Sequence, residues 1–281
     1  LKVSYGHTFK IHGVLVIFDM KHDNNKNKAA LITGGATRLG LAFAKALASA
    51  GYDIALHYHS STEAAQSTVA EIEALGVVCV AFQLDLSQSN PETLITRVVN
   101  KFPNLGVLIN SASAYEAATI ADTSMALLQQ QFTVNFFAPF MLTQEFAKSC
   151  SARSCSNAVV INILDNKIAF QQNSYAAYLL SKKALAEFTY LAAMEYAPNL
   201  RINGIAPGVI MPGEDRTEDY VAWRIDGIPL KKQGDVDNIL SAMNYLLNNK
   251  FVTGQILTVD GGEGMNHQGL NAEQFNHRDH S

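Results

Sequence analysis

From Lys28 onward, short apolar runs alternate with longer stretches in which apolar residues recur at helical spacing. The runs at 29–33, 54–58, 77–84, 106–109, 158–163, 201–205 and 255–259 read as strands. The stretches 41–51, 62–75, 91–102, 123–147, 175–196 and 236–247 read as helices, the first two stopping at Gly51 and Gly76. Residues 209–232 carry Pro212, Gly213, Gly227 and Pro229 and read as irregular. Seven strands separated by helices predict an α/β fold, a parallel sheet covered on both faces.

No repeat, linker or break divides residues 28–262, so one domain is expected there. Residues 1–27 form an N-terminal extension and 263–281 a polar tail expected to be partly disordered. Residues 1–19 fit no later pattern. The apolar stretch 13–18 is too short for a signal-peptide core and lacks a small-residue cleavage site. Met20, followed by Lys-His-Asp-Asn-Asn-Lys, has the look of a natural start, which makes 1–19 an upstream extension. N-terminal mass analysis of the native protein tests this, and a chain beginning before Met20 refutes it.

Composition narrows the function classes. With 281 residues, 48% hydrophobic and 16% charged, the chain can bury one sizeable core and reads as a soluble globular protein. A formal charge of −4 without a basic block gives no reason to expect nucleic acid as a partner. No apolar run approaches the ~18 residues that span a bilayer, so no membrane partner is expected. Cys79, Cys150 and Cys155 are odd in number and lack CxxC spacing. They read as free thiols in a reducing, cytoplasmic compartment, with no metal role.

The candidate chemistry begins at Thr33-Gly-Gly-Ala-Thr-Arg-Leu-Gly40, which follows a strand and opens a helix. Small residues there let backbone N–H groups approach a pyrophosphate, whose charge a helix N-terminus favours. A tight turn without a ligand is the alternative. The second strand ends in Leu56-His-Tyr-His-Ser-Ser61 with no acidic residue for a ribose 2′-hydroxyl, and Asp53 lies at the wrong end. His59, Ser60 and Ser61 can instead donate to a 2′-phosphate, with Arg38 adding charge, and this favours NADPH. A polar surface turn is the alternative. Asp85 either bonds an adenine amino group or caps the next segment.

Tyr178 and Lys182 lie four apart on a predicted helix and share a face. A neighbouring ammonium favours the phenolate, which gives a general acid usable near neutral pH. Lys182 can also hold a ribose. Thirteen residues before Tyr178 stands Asp165.

The ordered set Thr33-Gly34…Gly40, Leu84-Asp85, Asn110-Ser-Ala-Ser113, Asn135, Tyr178-x-x-x-Lys182, Pro207-Gly208 and Asp260-Gly-Gly262 resembles the short-chain dehydrogenase/reductase family over roughly residues 28–262. The resemblance implies a single Rossmann-type, doubly wound parallel sheet, a nicotinamide cofactor and a homotetramer. It implies cofactor contacts from Gly34, Arg38, Leu39, Gly40, Asp85, Leu86, Asn110, Ala112, Ser113, Tyr178, Lys182, Pro207, Gly208 and Val209. Asn135 would anchor a water in a proton relay with Lys182, the alternative being a satisfied polar group inside the helix.

Two departures from the family pattern matter. Arg38 stands where the turn usually has glycine, and Asp165 replaces the usual catalytic serine. With His57-Tyr-His-Ser-Ser61, they resemble the pteridine reductase subgroup and the related dihydromonapterin and dihydrofolate reductases. That subgroup often has arginine where this chain has Ser60. The likeness implies Tyr115 stacked on a pterin ring, Ser113 touching cofactor and pterin, and Arg38, Asp165 and Tyr178 at the substrate.

The chemistry agrees. Carbonyl reduction builds negative charge on oxygen, which an ionised Asp165 would repel. A pterin is reduced at a C=N bond and presents N–H donors that a carboxylate accepts. The expected function is NADPH-dependent reduction of dihydropterins (dihydromonapterin, dihydrobiopterin or dihydrofolate), with the proton passing through Tyr178 and Asp165. The alternatives are a reductase of 3-oxoacyl or other carbonyl substrates, and a non-catalytic NADPH-binding sensor. Residues 209–232, with Glu214, Asp215, Arg216, Glu218, Asp219, Trp223 and Arg224, are the expected substrate lid, Trp223 serving packing.

Overall fold

The computed structural model describes residues 8–11, 14–17 and 28–266 apart from Ser89, Ser156, Glu214 and Asp215. The readings of Met20 as a start and of the tail beyond Asn266 lie outside the described residues, as do those of Glu214 and Asp215. Within the extension, β1 (Thr8–Ile11) and β2 (Val14–Ile17) pair antiparallel, where no element was expected.

The remaining strands are β3 (Ala29–Ile32), β4 (Asp53–Tyr58), β5 (Cys79–Gln83), β6 (Leu105–Asn110), β7 (Ala158–Ile163), β8 (Leu200–Pro207) and β9 (Ile256–Val259). They form one seven-stranded sheet in the order β5-β4-β3-β6-β7-β8-β9, with every neighbouring pair parallel. The helices are α1 (Arg38–Ser49), α2 (Thr62–Glu73), α3 (Glu92–Lys101), α4 (Met125–Phe132), α5 (Ala138–Ala152), α6 (Ala176–Tyr196), α7 (Glu218–Asp226) and α8 (Val236–Asn248).

Strands buried on both faces need continuous apolar runs, and β3, β7 and β8 are buried at every position. One face packs Leu94, Phe146 and Leu185 from α3, α5 and α6. The other packs Phe43, Ile72 and Ile239 from α1, α2 and α8. Phe43 and Phe146 are wholly buried, and each contributes about 1.5–3 kcal/mol of transfer free energy. Because β3 has β4 on one side and β6 on the other, the chain winds away from it in opposite directions. A crevice opens at the carboxyl ends of these strands.

Two expectations are corrected. The stretch read as one helix over 123–147 is three pieces: α4, a π-helical turn over Thr133–Phe137, and α5. Pro139 has no N–H to give the Asn135 carbonyl, and the wider turn accommodates that missing bond. The irregular stretch also contains α7. Thr217 caps it by accepting from the Tyr220 N–H at 3.2 Å, acidic Glu218 and Asp219 open it, and Arg224 closes it. Among the described residues no helix is long and apolar enough to cross a membrane, and no cluster of metal-ligating side chains occurs.

Candidate active site

A cleft of about 1060 Å³ runs along the carboxyl edge of the sheet. At one end lies the turn between β3 and α1. Gly34 has φ +63°, and a Cβ on Gly40 would stand 2.0 Å from the Gly34 carbonyl oxygen, so the turn closes only with glycine at position 40. His57 holds this turn from beneath. Its Nδ1 accepts from the Gly34 N–H at 3.1 Å, and its Nε2 lies 3.0 Å from the Leu84 carbonyl. An accepting Nδ1 carries no proton, so the ring is the neutral Nε2–H tautomer. Burial pulls its pKa from 6.5 to about 4. Thr33 Oγ1 accepts from the Ser111 and Ala112 N–H groups at 2.9 and 3.0 Å, which binds the ends of β3 and β6 together.

Arg38 has φ 51°, the left-handed region that glycine adopts freely and other residues at a cost. Its guanidinium donates to the Met211 carbonyl and so bridges the glycine turn to the loop after β8. His59 Nε2 lies 3.4 Å from Asp85 Oδ2, while Asp85 Oδ1 accepts from the Ser87 N–H and hydroxyl at 2.8 and 2.7 Å. The capping role considered for Asp85 is therefore formed. Ser60 and Ser61 stand exposed on the cleft wall at the start of α2, and Ser61 makes no capping bond there.

At the other end, the Tyr178 hydroxyl donates to Asp165 Oδ2 at 2.7 Å. Asp165 Oδ1 accepts from the Lys167 N–H at 2.8 Å and so caps the short 3₁₀ turn Asn166–Ala169. Lys182 Nζ donates to the Ile163 carbonyl at 2.8 Å and lies 5.9 Å from the Tyr178 ring centre. Burial, then the Asp165 charge, raise the Tyr178 pKa well above its usual value, while burial lowers Lys182 to about 8. Desolvation and the carboxylate partner both act against the phenolate, so in this arrangement Tyr178 donates to Asp165 as a neutral phenol.

Asn135 is wholly buried. It donates to the Ala114 carbonyl, Gln131 and Ser181, and it accepts from the Ser113 hydroxyl and the Ala114 N–H. Its side chain is the satisfied polar group, and it fixes the loop after β6. Tyr115 on that loop stacks on Tyr175, with centroids 4.7 Å apart, and meets Tyr178 edge-on at 4.6 Å.

The cleft gathers Gly34, Arg38, Leu39, Gly40, His59, Ser60, Ser61, Asp85, Leu86, Ala112, Ser113, Tyr115, Asp165, Tyr178, Lys182, Pro207, Gly208 and Val209. Asn110 and Asn135 do not line it. Asn110 instead donates to Asn162 at 2.8 Å in a buried polar ladder between the strands. Reasoning from sequence missed His57, Tyr175 and Lys167. Lys167 is buried, donates to the Tyr115 hydroxyl at 2.9 Å, and lies 4.7 Å over the Tyr175 ring. Its only sequence signal was its place two residues after Asp165.

Residues 28–219 match the short chain dehydrogenase family. The chain belongs to that family. Members use NAD or NADP. Among curated relatives, a 2-dehydro-3-deoxy-D-gluconate 5-dehydrogenase of Formosa agariphila is 28% identical, over 84% of this chain and 92% of that protein. A 3-oxoacyl-[acyl-carrier-protein] reductase of Staphylococcus epidermidis is 29% identical, over 84% and 98%. Among solved structures, FolM alternative dihydrofolate reductase 1 from Brucella canis, complexed with NADP, superposes with a TM-score of 0.80 at 27% identity, covering 88% of this chain and 98% of that one. The Brucella suis protein, also with NADP, gives 0.79 at 27%, covering 85% and 96%.

Proposed function

We propose that the protein is an NADPH-dependent reductase of dihydropterins. The observation that carries this reading is the 2.7 Å bond from Tyr178 to Asp165 at the substrate end of the cleft. A carboxylate there disfavours an oxyanion developing on a ketone and accepts the N–H and amino donors of a pterin edge. The likeness to two alternative dihydrofolate reductases supports the same substrate class.

The residues present fit a dinucleotide. The glycine turn sits at the N-terminus of α1, where a pyrophosphate's charge is favoured, and β4 itself ends without a carboxylate, the Asp85 carboxylate beside His59 being engaged by Ser87. Gly34, Arg38, Leu39 and Gly40 would hold the phosphates, with His59, Ser60 and Ser61 at the 2′-phosphate. Lys182 and the loop Pro207-Gly208-Val209 would hold the nicotinamide half. When bound, the cofactor supplies the hydride. Tyr178 hands its hydroxyl proton to the ring nitrogen, and Asp165 orients the ring edge and steadies the Tyr178 hydroxyl. Tyr115, with one face on Tyr175 and about half of its surface still exposed, offers a flat wall that aligns the pterin for transfer. Asn135 holds that wall in place.

A homo-oligomer belongs to the same reading. Phe137, Phe140, Leu191 and Met194 stand exposed on and beside α5 and α6. Light scattering after gel filtration is expected to give a tetramer, and a monomer removes this part of the proposal.

The testing experiment follows NADPH oxidation with dihydrobiopterin, dihydromonapterin, dihydrofolate and an acetoacetyl thioester. Turnover of the pterins without the thioester is expected. Turnover of the thioester alone replaces the reading with a 3-oxoacyl reductase, which the Staphylococcus relative favours.

A further inference from the structure

A buried polar cluster joins three segments that are distant in the chain. Glu263, 1% exposed, lies in the turn after β9. Its Oε1 accepts from Arg224 Nη2 at 2.7 Å, and its Oε2 accepts from Asn166 Nδ2 at 2.8 Å. Asn166 also lies 3.4 Å from Asp260 Oδ2, and the Asp260 carboxylate is held by the Gly262 and Gly264 N–H groups at 2.9 and 2.6 Å. Arg224 is in the last turn of α7, which puts Tyr220, Val221 and Arg224 on the cleft wall. Asn166 is peptide-bonded to Asp165, the carboxylate that takes the Tyr178 hydroxyl. One buried glutamate therefore grips the substrate-side helix with one oxygen and the catalytic turn with the other.

A buried ion pair contributes little stability relative to an apolar pair of the same volume, because desolvation offsets the attraction. What it supplies is a fixed geometry. We propose that Arg224, Glu263 and Asn166 are positioning residues that couple docking of α7 to placement of Asp165 against Tyr178. The consequence for turnover rests on the pterin reading; the coupling itself does not. Coupling is reciprocal, so loosening the catalytic turn must loosen α7.

Trp223 is the only tryptophan in the chain and precedes Arg224 on α7, so its fluorescence reports this helix alone. N166A alters the catalytic turn and leaves the Arg224–Glu263 pair of α7 in place. In N166A, acrylamide quenching of Trp223 is expected to rise roughly twofold as α7 loses part of its anchor. Quenching equal to the native protein overturns the coupling. The double variant R224M/E263M replaces the pair with apolar side chains and is expected to melt as a folded protein. Its NADPH Kd should stay near native, while kcat falls about 10²-fold, the cost of roughly 1 Å of misplacement at the reacting groups, and by more than pterin KM rises. R224K, which keeps the charge, should retain more of kcat than R224M. A folded double variant with native kcat overturns the proposal. If the native enzyme turns over no dihydropterin, the substrate reading fails, and Trp223 quenching in N166A still decides the coupling.

Discussion

At the dinucleotide end of the cleft the surface is largely backbone: a glycine turn, a helix N-terminus, and carbonyls and amides tied together by Thr33 and His57. At the substrate end it is side chain: Asp165, Tyr178, Tyr115, Tyr175 and Lys167 arrive from three separate segments and touch one another. A backbone site tolerates no added atom but asks little of side-chain chemistry, so one construction serves many reductases. A side-chain site decides which substrate is reduced. The difference separates a cofactor frame that many reductases can share from the side chains, Asp165 among them, that surround the family's Tyr178 here.

Experiments that strike one end and spare the other test that division. The largest effect is expected from Y178F, which removes the donated proton. Turnover should fall about 10²- to 10⁴-fold while NADPH affinity by fluorescence titration stays near native. A parallel loss of NADPH affinity would erase the division.

Next comes acid sensitivity at the dinucleotide end. The His57 pKa is depressed from 6.5 to about 4. The unfolded chain binds the proton first, so this contribution is present above pH 6.5 and is lost as pH falls through about 4, up to about 3 kcal/mol. Thermal melts across that window should show it, and H57Q should flatten the acid limb.

A smaller effect is expected from G40A, whose added Cβ meets the Gly34 carbonyl at 2.0 Å. NADPH affinity should drop about tenfold, or ~1.4 kcal/mol, with a lowered Tm. The smallest is R38G. Relief of the left-handed backbone offsets the lost bond to Met211 and the added chain entropy of glycine, leaving stability within about 1 kcal/mol. KM for the pterin should rise, because Arg38, like Ser113 and Tyr178, is a predicted contact shared by both ends.

The sheet was legible because strands buried on both faces are mostly apolar runs, with Asn162, Arg201 and Asn203 the buried polar exceptions in β7 and β8, and the glycine turn because its close approach excludes other residues. The break in the long helix was not read, although Pro139 four residues after Asn135 was its signal. Helix α7 hid because Thr217-Glu-Asp, a good helix start, sits among prolines and glycines. Tyr175 was missed because its work is stacking on Tyr115, which no sequence motif marks. Asn166 and Glu263 have no spacing signature, and Lys167 only its place two residues after Asp165. Their contacts exist only after distant segments meet.

The central claim is that Asp165 commits this site to pterins. The most direct measurement compares native enzyme with D165S on dihydrobiopterin and on an acetoacetyl thioester. In D165S, pterin kcat/KM should fall about 10²-fold, with NADPH Kd unchanged and no loss on the thioester. Pterin turnover by D165S equal to that of the native enzyme would contradict the account.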